Sequence, residues 1–513
     1  MPILLVFALT AACLPVRWPA PFVSTDAESP VWLTGGALVF SMLASISLRV
    51  WVVRTLRRSP SRKSEVADVY VRLRRLMFFV NVGLVAICVF AFGWGWFVQQ
   101  TFVVAGLLDL DGQPLLAPFA ELLVPGPYFA ILFATWTIYY DAERMLHKTS
   151  ILGPVNRAFW SRTGYFFNNL RQFALLVMLP VMLFVTQQTL LRFDPETTQT
   201  DWYRLGSVAL VPVLVLFMPL LIKPLLGLKS MPPGPVRSRM EALAARLHFR
   251  CTDFLLWPTH GATANAMIVG LLPQVRYVIF TDRILEDLPE DELDAVFGHE
   301  VGHAKHGHIW LYAVFLGLSM IVLAAVLLLL DQRLTAARVK IPVWAKDWIA
   351  LPPMILVGGY VFLVFGYLSR RCERQADVYG CRAVSCNKSI CTGHDETTVY
   401  PERAQGLCPT GIRTFVRALE RVGLVNTHGD PEPEKSRSIG TLVRGFFSWL
   451  RAWQHSTMSR RVVFLLSLIG DPRKERRFQR AVTVLRWALI LGLIATLYAL
   501  GETVGWHELL QVL

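Results

Sequence analysis

Three observations predict a mainly α, polytopic helical membrane protein: an apolar composition, apolar runs of spanning length, and basic residues gathered between those runs. Hydrophobic residues make up 54% of the 513 positions and charged residues only 17%, where a soluble domain carries about a quarter. The net charge of +14 would suit a nucleic-acid partner. Its placement between apolar stretches instead sets membrane orientation, and no RNA- or DNA-binding signature accompanies it. The expected partners are the lipid bilayer and, from the motifs below, a polypeptide; no nucleic acid is expected.

A helix crosses the roughly 30 Å hydrocarbon core with on the order of 20 apolar residues. Uncharged runs of that order lie at Val31–Leu48, Leu76–Leu108, Leu122–Tyr140, Phe173–Leu191, Leu205–Ile222, Ile309–Leu330 and Trp348–Leu368. A weaker one, Trp487–Gly501, follows Arg486, which is placed to snorkel to the interface. About seven or eight spans are therefore predicted. Met1–Leu14 is apolar but short and lacks the basic start of a signal peptide, so its role stays open.

The connections alternate in charge. The first carries Arg57, Arg58, Arg62, Lys63, Arg74 and Arg75, the second (109–121) carries no Lys or Arg, and the third includes Arg144, Lys148 and Arg162. By the positive-inside rule the first and third are cytoplasmic, and residues 223–308 emerge on that side after the fifth span. The spans at 309–330 and 348–368 form a hairpin out and back. Its outer loop, with Arg333, Arg338, Lys340 and Lys346, opposes the rule. The hairpin returns residues after 369 to the side of those before 308, so the two stretches are able to build one site.

The domains predicted are a multi-span region (1–228), a first catalytic segment (229–308), a transmembrane hairpin (309–368), a second catalytic segment (369–480) and a C-terminal stretch with a further candidate span (481–513). Within the first catalytic segment a helix is predicted around 236–248, and Arg276–Phe280 reads as a short strand from its β-branched and aromatic content. Pro289 then opens a helix whose first turn holds Glu290, Asp291 and Glu292, suited to the positive end of the helix dipole.

That helix contains His299-Glu300-Val301-Gly302-His303. Residues four apart share a helix face, so the two imidazoles are able to grip one metal ion, with Glu300 beside them as general base. Catalytic zinc takes three protein ligands, and Glu373, which follows the returning span, is the candidate third. Asp377, one turn further on, is placed to orient a ligating histidine. One catalytic Zn²⁺ is expected. His306 and His308 read as helix-end residues near the interface, and His260 carries no assignment.

The run from Phe280 through Asp291-Glu292-Leu293 to His299–His308, with Glu373-Arg-Gln-Ala-Asp377, resembles the membrane metallopeptidase family of HtpX and the type I CAAX prenyl endopeptidases. The resemblance implies a zincin-like unit with a small sheet and Glu373 as third zinc ligand. It also implies that Asn265-Ala266-Met267, with Met in place of an aromatic residue, is an edge strand lining the substrate cleft. His455 and Arg461, six apart, resemble a C-terminal pattern in which the His stabilises the transition state and the Arg pairs with site carboxylates. Ser456 stands where the family has Pro.

Cys381, Cys386, Cys391 and Cys408, with Cys372 and His394, depart from the family. Their cysteine spacings of four, four and sixteen intervening residues are not the two-residue knuckle of structural zinc sites. Reduced thiols on the cytoplasmic side are the expectation, with a second metal or a disulfide left open. The function expected is a membrane-embedded zinc endopeptidase acting in membrane-protein quality control or processing. The alternatives are a CAAX-type protease trimming prenylated proteins and a catalytically silent scaffold or transporter.

Overall fold

The structure, a computed structural model, describes residues 9, 28–98, 101, 122–147, 159–193, 195–337, 351–386, 391–394, 398–401, 406–426 and 458–512. Of Met1–Leu14 only Leu9 is among them, and His455 and the hairpin's outer loop at 338–350 lie outside them.

The N-terminal region contains the helices α1 (Ser29–Arg58), α2 (Lys63–Phe90), α3 (Gly126–His147), α4 (162–193) and α5 (Asp201–Leu225). The catalytic unit follows with α6 (Pro235–Arg246), α7 (Asp282–Asp287) and α8 (Glu290–Lys305), then the hairpin α9 (His308–Ala336) and α10 (Leu351–Ala383). Helices α11 (Pro409–Asn426), α12 (Met458–Leu466) and α13 (Pro472–Val504) complete the set used below. Among the described residues five helices are long and apolar enough to cross a bilayer: Ser29–Arg58, Glu65–Phe90, Arg162–Gln187, His308–Ala336 and Pro472–Val504. The other predicted spans, Leu122–Tyr140, Leu205–Ile222 and Trp348–Leu368, overlap α3, α5 and α10 over the described residues. The run Leu76–Leu108 is not one helix: α2 stops at Phe90, Gly93 takes φ +77°, and a separate short helix covers Trp94–Val98. Trp487–Gly501, the weakest run, is the apolar half of α13, where Leu493 is buried with Leu311, Phe315 and Leu368 of the hairpin.

Charged residues tie α1 to α4 together at one end. Arg49 pairs with Asp141, Arg74 with Glu143, and Arg162 with Asp141, while Tyr70 and Tyr165 donate to Glu143. The first and third connections are thus at the same end of the bundle, as the charge pattern requires. That end abuts the catalytic unit, where the Trp160 and His260 rings meet at 4.8 Å.

A four-stranded sheet supports the catalytic helix, in the order β1 (Lys229–Ser230), β2 (Asp253–Trp257), β4 (Tyr277–Thr281) and β3 (Ala266–Val269). Strands β2 and β4 run parallel, and β3 is an antiparallel edge, pairing Ala266 with Phe280 and Val269 with Tyr277. Helix α8 buries Leu293, Phe297 and Val301, one residue per turn, in the core between sheet and helices. Phe297 is fully buried, its ring 5.8 to 6.1 Å from those of Phe249, Phe254 and Phe280. Burying such a ring contributes about 1.5–3 kcal/mol, and the ring geometry about 0.5–1.5 kcal/mol more.

The face of α8 toward α10 is small. A methyl group on Gly298 would come within 2.4 Å of Ala383 Cβ, and one on Gly302 within 2.8 Å of Tyr379 Cβ and 3.1 Å of Ala376 Cα. Gly380 returns the fit, lying against Ala295 O and His299. These glycines let two backbones approach closely enough for short carboxylate side chains on α10 to reach the histidines of α8.

Candidate metal centre

His299 and His303 project from α8 into the crossing with α10, and their Nε2 atoms lie 3.2 Å apart. Glu373 of α10 completes a triangle, its carboxylate oxygens 3.9 Å from Nε2 of His299 and 3.7 Å from Nε2 of His303. Bonds of about 2.0 Å to a tetrahedral ion put neighbouring ligand atoms about 3.3 Å apart, close to this spacing. All three residues are buried or half-buried.

The outer nitrogens of both rings are engaged. Nδ1 of His299 lies 3.0 Å from Oδ1 of Asp377, although the ring N–H is not aligned for an ordinary hydrogen bond. The carboxylate's charge at that distance still favours a proton on Nδ1. Asp377 is fully buried and is clamped by Arg461, whose Nε donates to Oδ2 at 2.9 Å and whose Nη2 donates to Oδ1. Burial would raise the Asp377 pKa, but the Arg461 charge and the contacts with His299 and Arg461 hold it below the ordinary carboxylate value. Nη1 of Arg461 also stands 3.7 Å from Glu373. Arg461 is therefore a buried member of the site.

His308 was missed by the sequence reading, which placed it at the interface. It is fully buried, with Nδ1 3.0 Å from Nδ1 of His303 and Nε2 3.0 Å from Oε1 of Gln375. Gln375 Nε2 in turn donates to Gln479 Oε1 at 2.7 Å. An amide oxygen only accepts, so Nε2 of His308 carries a proton. In its neutral form His308 then accepts at Nδ1, and His303 donates from its own Nδ1. Both ligating rings thus point a lone pair inward, and with Glu373 three acceptors converge. That arrangement fits a cation. Burial depresses the His303 pKa to about 4, keeping its ring neutral as a ligand must be.

The relay explains its own absence from the sequence pattern. Gly307, in the left-handed region at φ +64°, ends α8 and redirects the chain, swinging His308 back toward a ring five residues earlier. Unbroken helical periodicity would place the two on different faces. Replacing His308 by Leu is expected to leave the fold intact and to weaken metal binding about 10–100-fold, measured by competition with a chromophoric chelator. His306 is not a ligand; it stacks on His308, and its carbonyl accepts from Arg486, which caps the end of α8.

Glu300 projects beside the ligands. Its carboxylate faces the Ile268 N–H of edge strand β3, and burial, reinforced by the charge of Glu373, pushes its pKa up to about 7. Asn265 is exposed at the start of that strand, locked through its backbone to Thr281, while Ala266 is buried and Met267 half-buried. Phe415 of α11 stacks on His299 at 5.6 Å, a contact no sequence pattern signalled. Glu292, read as a dipole partner, is buried in the first turn of α8 and bound by Arg421.

Fold and site together define a mainly α, polytopic membrane protein with an HExxH helix and three residues able to hold a metal ion beside a small sheet. Residues 232–428 match the model of Peptidase family M48, in agreement with the resemblance carried by the two motifs. The CAAX prenyl protease 1 homolog of Arabidopsis thaliana is 32% identical over 99 residues, 19% of this chain and 23% of that protein. The Protease HtpX homolog of Aeropyrum pernix is 28% identical over 207 residues, 37% of this chain and 60% of the relative. The chain thus spans less than two thirds of the length of these curated relatives. The crystal structure of S. mikatae Ste24p shares the fold, with a TM-score of 0.50 and 14% identity over 86% of this chain and 99% of that one. The five apolar helices and the apolar composition mark an integral membrane protein.

Proposed function

We propose that this chain is a zinc-dependent membrane endopeptidase, with His299, His303 and Glu373 as zinc ligands and Glu300 as general base. The observation that carries the reading is the convergence of three acceptor atoms, 3.2 to 3.9 Å apart, with a carboxyl of raised pKa beside them. Zinc bound there would act as a Lewis acid toward a peptide carbonyl and toward water. Glu300 takes a proton from the attacking water on its carboxylate and passes it to the leaving nitrogen, a role suited to a group titrating near neutrality. Asp377 holds His299, and His308 holds His303, so neither ring turns as a substrate enters. Arg461 keeps Asp377 ionised. An extended substrate lies along the edge strand at Asn265, Ala266 and Met267, and His455 donates to the developing oxyanion.

The substrates proposed are polypeptides, membrane proteins among them, in processing or quality control. The catalytic unit faces the cytoplasm, because it shares an end with the basic first and third connections. The test uses the whole chain purified in detergent. Cleavage of a denatured membrane protein is expected to stop on removal of zinc by a chelator and to return when zinc is restored. Zinc-independent cleavage would overturn the reading. Cleavage of a farnesylated peptide but not of its unmodified twin would turn the substrate assignment to the CAAX type.

A further inference from the structure

We infer that the chain holds a second, structural zinc ion, bound by Cys386, Cys391, His394 and Cys408 where α10 passes into α11. One ligand atom from each of these four residues lies within 4.8 Å of every other. Sγ of Cys408 is 3.4 Å from Nε2 of His394, against about 3.6 Å for sulfur and nitrogen on one tetrahedral zinc. The thiol of Cys391 faces those of Cys386 and Cys408, and none of the three is in a disulfide.

The cluster differs from the one the cysteine spacings suggested. Cys381 is not part of it, being fully buried in the apolar core with Phe415 and Leu465. His394 takes its place, and the spacing becomes Cys386-x4-Cys391-x2-His394-x13-Cys408. The two-residue knuckle that the cysteines alone lack is therefore present between Cys391 and His394. Three sulfurs and one nitrogen in four-coordinate proximity form a closed structural set. It differs in chemistry from the sulfur-free catalytic triangle.

The surroundings are those of a built site. Cys386 and Cys408 are buried. Cys408 stands immediately before α11, and its sulfur accepts the Gly411 N–H at 3.2 Å, where the helix's unpaired amides favour a thiolate. Ser385 Oγ accepts the backbone N–H of Cys408 at 3.1 Å and donates to Cys381 O at 2.8 Å, fixing both ends of the connection against each other. Nδ1 of His394 lies 3.5 Å from the Tyr400 hydroxyl, an outer partner of the sort that orients a ligating imidazole.

The position gives the ion a purpose. Helix α10 carries Glu373 and Asp377, and α11 carries Phe415 against His299. The two helices are joined by a long connection, residues 384–408. Zinc at its four ligands ties the end of α10 to the start of α11, and so steadies both walls of the catalytic centre.

The experiment measures metal in the full chain purified in detergent, and then its cobalt-substituted form. Two zinc ions per chain are expected, matching the two clusters. The cobalt form is expected to show a thiolate-to-cobalt charge-transfer band in the near ultraviolet. Because His299, His303 and Glu373 offer no sulfur, that band reports this site alone. It should persist in His303→Ala and vanish in Cys391→Ser, which should retain one zinc. If Cys391→Ser fails to fold, the parent's spectrum and stoichiometry still decide. One zinc per chain without the band, or a disulfide among these cysteines by non-reducing peptide mapping, would overturn the inference. The band without catalytic zinc would uphold it and sink the peptidase reading.

Discussion

Glu300→Gln is expected to bind as much zinc as the parent and to cleave peptide bonds about 10²–10⁴ times more slowly. The substitution keeps size and shape, and its amide oxygen is able to face the Ile268 N–H as the carboxylate does now. None of the three acceptors converging on the metal position belongs to Glu300, so zinc content should hold. Stability should hold too, because removing one of two carboxylates relieves the repulsion from Glu373. What disappears is the only change intended, a basic oxygen able to take a proton near neutral pH. Zinc by elemental analysis and turnover of a denatured membrane protein, measured on one preparation, separate these effects. Equal turnover by variant and parent would show that another group is the base.

The second large effect is on stability. Arg461→Leu is expected to cost about 3–5 kcal/mol, as removal of one partner from a buried ion pair does. Asp377 has no exposure to water, and its two oxygens are both held by this guanidinium. Glu373, 3.7 Å from the same side chain, loses its counter-charge as well. The loss should be greater in zinc-stripped protein, where no other cation compensates Glu373. Adding Asp377→Asn should recover much of the stability, because the stranded charge is then gone. Thermal unfolding in detergent of the single and double variants, with and without zinc, reads all of this. A single variant as stable as the parent would mean the pair is not the stabilising element the geometry indicates.

Much of the centre was legible beforehand because it is local or chain-ordered. His299, Glu300 and His303 lie within two turns of one helix, and an acidic first turn marked that helix's start. Glu373 and Asp377 followed from a motif placed just after an apolar run, and the hairpin α9–α10 does return them to α8. The strand at Arg276–Phe280 appears as Tyr277–Thr281, one residue displaced. The span within 76–108 is present but ends at Phe90, a boundary hydropathy does not register because a left-handed Gly93 follows it. His394 was named beside the cysteines and a second metal left open, but the spacing was taken from the cysteines alone, so the two-residue step from Cys391 to His394 went unnoticed.

By itself the sequence determined the residue types and periodicities: which stretches are apolar enough for a bilayer, and which helix offers two imidazoles on one face. Only the tertiary structure decided which distant groups complete the chemistry. Arg461, assigned by the resemblance only to site carboxylates in general, meets Asp377 across 84 positions of chain, His308 turns back onto His303, and His394 lies with three cysteines of the α10–α11 connection. The reason is physical. Periodicity places side chains relative to their own helix axis, whereas these contacts depend on how closely separate segments approach, which here rests on Gly298, Gly302 and Gly380 at the crossing of α8 with α10.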